Sequence, residues 1–326
     1  MSVDAADTTR KPVRAGWAQR TERSNMLALR FMAWASLRLG RAPARGMLYL
    51  IAAYFLLFSP APRKAIADWL RRVRGPGGEP DRWRDLFRHF LCFASVVHDR
   101  VFLVNGQYAM FDIRVHGQEL VSQASGRGRG MMLMGAHMGS FEVMRALGGQ
   151  QAGVRVAMAM YKENAQKINQ LLTAINPRAA LDVVALGQVD SMLQLHALLE
   201  ADAIVGMMGD RVLGDDATRT IDFFGEPAAF PTGPFRMAAI ARRPVIFMVG
   251  LYRGGNRYDV HIEQLADFSG LPAGGRQAAV DAAMDRYALL LEKYARIAPE
   301  NWFNFYDFWK EQGQPARSQE AGVGKA

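Results

Sequence analysis

The sequence predicts an α/β fold: a mainly parallel central sheet flanked by helices, with an N-terminal helical membrane-associating segment. The first observation behind this prediction is that short apolar runs alternate with helical patterns after residue 100. Such runs predict strands that are buried on both faces, and strands that alternate with helices form parallel sheets. The second observation is that positive charge is concentrated in the first quarter of the chain, around a long apolar run.

Five apolar runs predict buried strands, and one alternating run predicts an edge strand. The buried strands are expected at residues 131–134, 154–160, 181–186, 203–209 and 244–251, and the edge strand at residues 258–265. Helical spacing occupies residues 81–100, 163–175, 189–200 and 234–241. Parallel sheets place their functional sites at the carboxyl ends of strands. A chemically active residue directly after a strand is therefore a candidate for function.

The composition limits the class of protein. Half of the 326 residues are apolar and 22% are charged, which suffices for a sizeable core. Cys92 is the only cysteine, so an internal disulfide and a cysteine-based zinc site are excluded. The six histidines lack the close spacing with other ligands that metal sites show. We therefore predict no metal site and no cofactor.

The net charge belongs to the N-terminal quarter. Residues 1–75 contain fourteen Lys and Arg against four Asp and Glu, a net charge of +10. Since the whole chain carries +9, the remaining residues sum to −1. A basic block fits either nucleic acid or an anionic lipid surface. A nucleic-acid module would carry its positive charge on the folded body, so we predict no nucleic-acid partner.

An uncharged apolar run at residues 46–62 lies between basic residues on both sides. Its length is near the minimum for crossing a bilayer, and the amphipathic stretch at residues 26–39 suits a helix lying in the headgroup layer. The alternative is a core helix with a solvated basic arm. We expect a flexible basic tail at residues 1–25, the helical membrane-associating segment at 26–75, an α/β domain at 76–311 and a flexible tail at 312–326.

The segment around His137 is the first candidate for chemistry. It follows the predicted strand at residues 131–134, with a turn through Gly135 and a helix from about Ser140. A histidine folded back over the helix start can meet Glu142, and Gly139 relieves crowding in that turn. The imidazole would take a hydroxyl proton while the carboxylate fixes its tautomer, and backbone N–H groups at the helix start would face an oxyanion. The alternative is an incidental loop histidine.

Asp210 and Arg211 form the second candidate, because they follow the predicted strand at residues 203–209. One interpretation is that they orient bound substrates. The other is that they form an ion pair that shapes the loop. The spacing alone leaves both open.

Three sequence blocks resemble one family. The box G-A-H-M-G-S-F-E at residues 135–142 resembles the H-x-x-x-x-(D/E) box of the bacterial lipid A late (lauroyl/myristoyl-type) acyltransferases, within the lysophospholipid and glycerolipid acyltransferase superfamily. G-D-R at 209–211, followed by I-D-F-F-G-E-P-A-A-F-P-T-G-P at 221–234, resembles a second block of that family. The aromatic segment at 299–309 resembles the closing segment of one of its branches.

The resemblance implies transfer of a fatty acyl group from acyl-carrier protein, or from acyl-CoA, to a lipid or glycolipid hydroxyl. The implied location is the cytoplasmic face of a bacterial inner membrane, so the implied partners are the donor, the lipid acceptor and the membrane surface. His137, Glu142, Asp210 and Arg211 are the implied catalytic residues. The implied substrate-binding residues are Gly139, Ser140, Lys162, Phe223, Phe224, Gly225, Pro231 and Gly233.

Two details qualify this site. Lys162 stands where the family commonly has an arginine, and lysine binds an anion as a point charge and not as a fork. Phe223 and Phe224 are expected to wall an acyl pocket, with the Phe-Phe-Gly turn serving a structural purpose.

Two alternatives to the transferase remain. The first is a serine-type lipid hydrolase with Ser140 as nucleophile, although no G-x-S-x-G motif surrounds it and Ser140 suits a helix cap. The second is a catalytically silent lipid-binding protein.

Overall fold

The computed structural model describes residues 34–76, 82–125, 130–150, 155–161, 169–170, 172–176, 182–186, 190–212, 216–272 and 274–311. The predicted tails at residues 1–25 and 312–326 lie outside these ranges, as does Lys162.

Four α-helical segments precede the sheet within the described residues. Residues 34–39 are helical, and α1 (Arg41–Phe58), α2 (Pro60–Arg74) and α3 (Arg82–Val104) follow. The apolar run predicted at 46–62 is interrupted because Ser59 caps the end of α1 and Pro60 begins α2. Within the described residues no helix is by itself long and apolar enough to cross a membrane. Only α1 and α2 taken together satisfy that test, and they are bent by 95°.

The central sheet has seven strands in the order β1-β9-β8-β2-β5-β3-β4. Neighbouring strands are parallel except for β8 and β9, so β1 and β9 run against the other five. The strands are β1 (Asp112–His116), β2 (Met131–Gly135), β3 (Val156–Tyr161), β4 (Asp182–Leu186), β5 (Ile204–Met208), β8 (Pro244–Tyr252) and β9 (Arg257–Asp267). A separate hairpin is formed by β6 (Thr218–Phe223) and β7 (Glu226–Pro231).

Helices cover both faces of the sheet, and each face has its own apolar core. The remaining helices are α4 (Gln118–Ser125), α5 (Phe141–Gln150), α6 (Ser191–Glu200), α7 (Gly233–Ala241), α8 (Arg276–Ile297) and α9 (Phe308–Glu311). Met132 packs in the core with α6, α7 and α8, while its neighbour Met131 packs in the core with α3 and α5. This division follows from the alternation of side chains along a strand. The mainly parallel α/β prediction is confirmed.

The prediction of an edge strand at residues 258–265 is wrong. β9 lies between β8 and β1, and β1 occupies the edge. The sequence of β1, D-I-R-V-H, is short and half-exposed, so it gave no apolar run to predict.

Candidate active site

The turn that carries His137 joins β2 to α5. His137 follows Gly135 and Ala136, and the helix begins at Phe141. Gly139 has φ +66°, and a Cβ there would lie 2.0 Å from the backbone oxygen of Gly250. Only glycine allows this close approach of the turn to β8. The strand–turn–helix placement of His137 is therefore confirmed.

Asp210 is the carboxylate that binds His137. β2 pairs with β5, and Gly135 is in register with Met208, so the residues after both strands emerge side by side. The imidazole Nδ1 of His137 lies 2.8 Å from Asp210 Oδ1, and its backbone N–H donates to Oδ2 at 3.0 Å. Nδ1 is the donor in this pair, since Asp210 is ionised. That leaves Nε2 as the basic nitrogen of the ring.

The environment keeps the histidine neutral and the aspartate ionised. Burial and the charge of Arg211 lower the pKa of His137 from its ordinary value of 6.5, and the opposing effect of Asp210 does not cancel them. Burial would raise the pKa of Asp210, but His137, Arg211 and Trp302 outweigh it and lower that pKa to about 2. About a third of the His137 side chain is exposed, whereas that of Asp210 is fully buried. A neutral, reachable imidazole backed by a carboxylate can accept a proton from a bound hydroxyl.

The predicted contact between Glu142 and His137 is wrong. Glu142 is buried in the first turn of α5, where its carboxylate lies 3.2 Å from Arg100 on α3 and 3.5 Å from Arg145. A histidine outside the helix can meet Glu142 only if both side chains turn toward each other. In this structure Arg100 and Arg145 form ion pairs with Glu142, and Asp210 accepts the hydrogen bond from Nδ1 of His137. Whether Glu142 contributes to turnover stays a prediction.

Arg211 binds the C-terminal segment. Its Nε donates to Asn304 Oδ1 at 3.1 Å, and Nη2 donates to the backbone oxygen of Phe303 at 3.0 Å. The guanidinium also lies 5.8 Å from the centre of the Tyr306 ring. These contacts favour the loop-shaping interpretation of Arg211. Its positive charge also helps to lower the pKa of His137.

Ser140 caps α5. Its hydroxyl is buried and accepts the backbone N–H of Val143 at 3.3 Å, as expected of a helix cap. Within the described part of the chain no hydroxyl or thiol hydrogen-bonds to the His137 ring. The backbone N–H groups of Gly139 and Ser140 donate to the carbonyls of Asn301 and Gly250, so these two donors are not available to an oxyanion.

Replacing Ser140 with alanine should cost about 1 kcal/mol of folding free energy, because one cap hydrogen bond is lost. Acyl transfer should be largely retained, since the hydroxyl faces the helix. Thermal unfolding and a transfer assay measure the two effects. Rapid-quench mass spectrometry of the wild type with donor alone provides the control. A stoichiometric acyl adduct on Ser140 would establish the hydrolase alternative instead.

The Phe-Phe-Gly motif is the turn of the β6–β7 hairpin. Phe224 and Gly225 both have positive φ, 56° and 78°, which is the geometry of a type I′ turn. Phe223 is fully buried and packs against Trp302 and Trp69, with ring centres 5.6 Å and 6.4 Å apart. Pro231 ends β7, and Gly233 begins α7. The Phe-Phe-Gly motif thus forms a tight hairpin turn, and the acyl pocket walled by Phe223 and Phe224 stays a prediction.

An apolar cavity of about 260 Å³ lies on the sheet face that carries α4 and α5. Phe141 and Met144 of α5 line it together with Leu133 of β2 and Met158 of β3. Gln118 and Arg145 supply the polar part of its wall. The cavity therefore adjoins the helix that starts directly after the His137 turn.

Sequence reasoning missed the roles of two residues. Asn301 accepts the Gly139 N–H through its backbone oxygen, and the Trp302 indole N–H donates to Asp210 Oδ2 at 3.0 Å. The aromatic pattern of residues 299–309 does not indicate that Trp302 binds a carboxylate 92 residues away.

A mainly parallel sheet with a histidine–carboxylate pair after two adjacent strands is the architecture of an α/β enzyme that can use general-base catalysis. The chain matches the model of the bacterial lipid A biosynthesis acyltransferase family over residues 100–311. It therefore belongs to that family and is an acyltransferase. A comparison with curated proteins gave no match. The family match contains His137, Asp210 and the C-terminal aromatic segment, whereas α1 and α2 precede it.

Proposed function

We propose that the protein transfers a fatty acyl group from an acyl thioester, carried by acyl-carrier protein or by CoA, to a hydroxyl of a lipid A-like glycolipid or lysolipid. The family implies an acyl donor and a lipid acceptor. The observation that carries the mechanism is the His137–Asp210 pair, whose Nε2 makes no hydrogen bond to a described residue. That nitrogen is the proton acceptor of the proposed reaction.

The proposed reaction proceeds without an acyl-enzyme. Nε2 of His137 takes the proton of the acceptor hydroxyl while Asp210 stabilises the imidazolium that forms. The acceptor oxygen attacks the thioester carbonyl carbon, forming the new C–O bond. The C–S bond then breaks, and the leaving thiolate receives the proton from the imidazolium. Ser140 takes no part, since its hydroxyl caps α5.

The apolar cavity is the proposed site for part of the acyl chain. Its wall consists largely of aliphatic and aromatic side chains, which suit a hydrocarbon that would otherwise contact water. Phe141 lines the cavity and stands four residues after His137. In the proposed complex one bound donor has its chain in the cavity and its carbonyl near His137.

Reconstitution tests the proposed function. The purified protein is incubated with acyl-carrier protein bearing a fatty acyl thioester and with a lipid A precursor that has a free hydroxyl, and the lipid is analysed by mass spectrometry. The expected product carries one additional ester-linked acyl chain. A parallel reaction with acyl-CoA distinguishes the donors. Release of free fatty acid with no acylated lipid, in the presence of acceptor, would contradict the transferase.

The second proposal is that α1 rests on the cytoplasmic face of the inner membrane. One stripe of α1 packs on the body through Leu48 and Ala52, which are buried. The opposite stripe is apolar and exposed, with Leu50, Leu57 and Phe58 exposed by 74%, 59% and 61%. The same exposed face also includes Met47 and Tyr54. An apolar helix face of this kind suits the boundary between headgroups and acyl chains.

The two arginines of α1 bind the protein and leave the exposed stripe uncharged. Arg41 donates to both carboxylate oxygens of the fully buried Asp99, at 2.8 Å and 2.9 Å. Arg45 donates to the Tyr252 hydroxyl at 2.7 Å. The basic residues before the apolar run therefore fasten α1 to α3 and β8. This attachment fixes the direction in which the exposed stripe faces.

Replacing both Leu50 and Leu57 with glutamate should release the protein from lipid. Each leucine that returns from lipid to water costs about 1.5–3 kcal/mol, so partitioning into phospholipid vesicles should fall about a hundredfold or more. Vesicle sedimentation measures this. The matched control is the pair Leu193→Glu and Leu289→Glu. These leucines are similarly exposed, at 71% and 67%, but lie on α6 and α8.

Point substitutions are preferable to removing the N-terminal residues, because α1 contributes buried side chains to the core. Equal vesicle binding by the Leu50/Leu57 variant and the wild type would contradict the proposed membrane face. Equal losses in both double variants would indicate a general effect of negative charge.

A further inference from the structure

Asp210 lies between two side-chain donors that come from distant parts of the chain. His137 Nδ1 binds Oδ1 at 2.8 Å, and the indole Nε1 of Trp302 donates to Oδ2 at 3.0 Å. Trp302 is 1% exposed, so its N–H has no access to water. The backbone N–H of His137 also donates to Oδ2, at 3.0 Å. With donors on both oxygens, the carboxylate cannot rotate about its Cβ–Cγ bond without losing a hydrogen bond.

The segment that supplies Trp302 also holds the histidine turn. The backbone N–H of Phe303 donates to the His137 carbonyl at 2.9 Å, and the Asn301 carbonyl accepts the Gly139 N–H at 2.8 Å. The Asn301 side chain binds Tyr252 of β8 twice, accepting its N–H at 2.7 Å and donating to its carbonyl at 3.2 Å. The segment at residues 301–303, which Asn301 binds to β8, therefore hydrogen-bonds to both the His137 turn and Asp210.

We propose that Trp302 is a positioning residue for acyl transfer: its indole N–H, together with the backbone N–H of His137, fixes the second oxygen of Asp210 so that the first stays on Nδ1 of His137. This inference rests on the proposed function, in which His137 is the base. The indole also draws negative charge toward Oδ2, which weakens the support that Asp210 gives to a protonated imidazole. Trp302 therefore sets both the orientation of His137 and its strength as a base.

The ionisation of the groups around Asp210 determines whether this change in the His137 pKa can be measured. Arg211 is its chain neighbour and bears a guanidinium, which stays charged. Tyr287 of α8 donates its hydroxyl to the Gly135 carbonyl at 2.9 Å, and burial and Asp210 raise the pKa of Tyr287 well above its ordinary value. Among these groups only His137 belongs to a residue type whose ordinary pKa lies near neutral pH.

Trp309 is a matched control within the same aromatic cluster. Its ring packs against Phe223 with centres 5.8 Å apart, close to the 5.6 Å between Trp302 and Phe223. Its indole nitrogen is buried and has no hydrogen-bond partner among the described residues. Substituting phenylalanine at either position removes an indole from one cluster, but only Trp302→Phe removes a donor to Asp210.

Trp302→Phe should lower kcat by on the order of tenfold to a hundredfold, the effect expected from losing a hydrogen bond to a charged group. It should also move the acidic limb of the pH–rate profile to higher pH, because Asp210 then stabilises the imidazolium more strongly. Trp309→Phe should leave both kcat and the acidic limb of the pH–rate profile near their wild-type values. A loss of thermal stability that both variants share reflects the loss of indole packing in the aromatic cluster.

A direct titration of His137 by NMR separates this inference from the proposed function, since it needs no turnover. Trp302→Phe should raise the His137 pKa relative to the wild type. If that variant does not fold, benzothienylalanine at position 302 keeps the ring shape and lacks only the N–H. An unchanged His137 pKa and acidic limb in either variant would overturn the positioning role. A wild type without transferase activity would instead refute the proposed function.

Discussion

Asparagine in place of His137 is expected to reduce acyl transfer by about 10²–10⁴-fold, the contribution of a positioned general base. The substitution removes Nε2, the nitrogen proposed to take the acceptor proton. It keeps an N–H near the position of Nδ1, so the buried Asp210 retains a partner and the fold should persist. Initial rates of transfer at saturating donor and acceptor measure the effect, with thermal unfolding as the check on folding.

His196→Asn is the matched control, because His196 is exposed on α6 and its imidazole lies 3.8 Å from Glu200, which is not a residue of the site. Its activity should equal that of the wild type. Turnover within a few-fold of wild type for the folded His137→Asn variant would exclude His137 as the base. The lipid-binding alternative predicts that this variant still binds lipid and that the wild type itself shows no transfer.

The fold was predictable where the two faces of a strand are both buried. Residues 131–134 and 203–209 read as continuous apolar runs because helices cover both sides of β2 and β5. β1 and the β6–β7 hairpin carry no such run, since every second residue of β1 is exposed and the hairpin contains charged side chains. The position of β9 depended on β1, so missing one strand misplaced the other.

The candidate site was predictable only where it is local in sequence. The turn, the glycine and the cap at residues 137–140 follow from a strand that is followed directly by a helix. The partner of His137 does not, because Asp210 is 73 residues away and reaches it through the pairing of β2 with β5. Strand order is set by packing of the whole sheet, and the spacing of His137 and Glu142 favoured the nearer carboxylate.

The charge of the N-terminal quarter illustrates the same limit. The count of +10 at residues 1–75 predicted a surface for anions, but Arg41 and Arg45 serve internal contacts with Asp99 and Tyr252. A sequence gives the number of charges near an apolar run and not the direction in which each side chain points. The exposed stripe of α1 supports the membrane proposal through its apolar side chains.

Asp210→Asn and Glu142→Gln should separate the two carboxylates by their pH profiles. Asp210→Asn should reduce transfer by about 10²–10⁴-fold, because an amide neither fixes the tautomer nor stabilises the imidazolium. The pKa of His137 is already lowered by burial and by Arg211, and Asp210 opposes this. Losing that opposing charge lowers the pKa further, so the acidic limb of the residual activity should move to lower pH.

Glu142→Gln should also lower turnover, since Arg100 and Arg145 lose the carboxylate that they share between α3 and α5. It leaves the bond between His137 and Asp210 intact, so its acidic limb should stay at the wild-type pH. Initial rates measured across about pH 5 to 8, the range in which histidine ordinarily ionises, give the acidic limb of the pH–rate profile for each variant. If Glu142→Gln moves the acidic limb of the pH–rate profile and Asp210→Asn does not, Glu142 is the partner of His137 during catalysis. The opposite result would assign that role to the buried aspartate on the neighbouring strand.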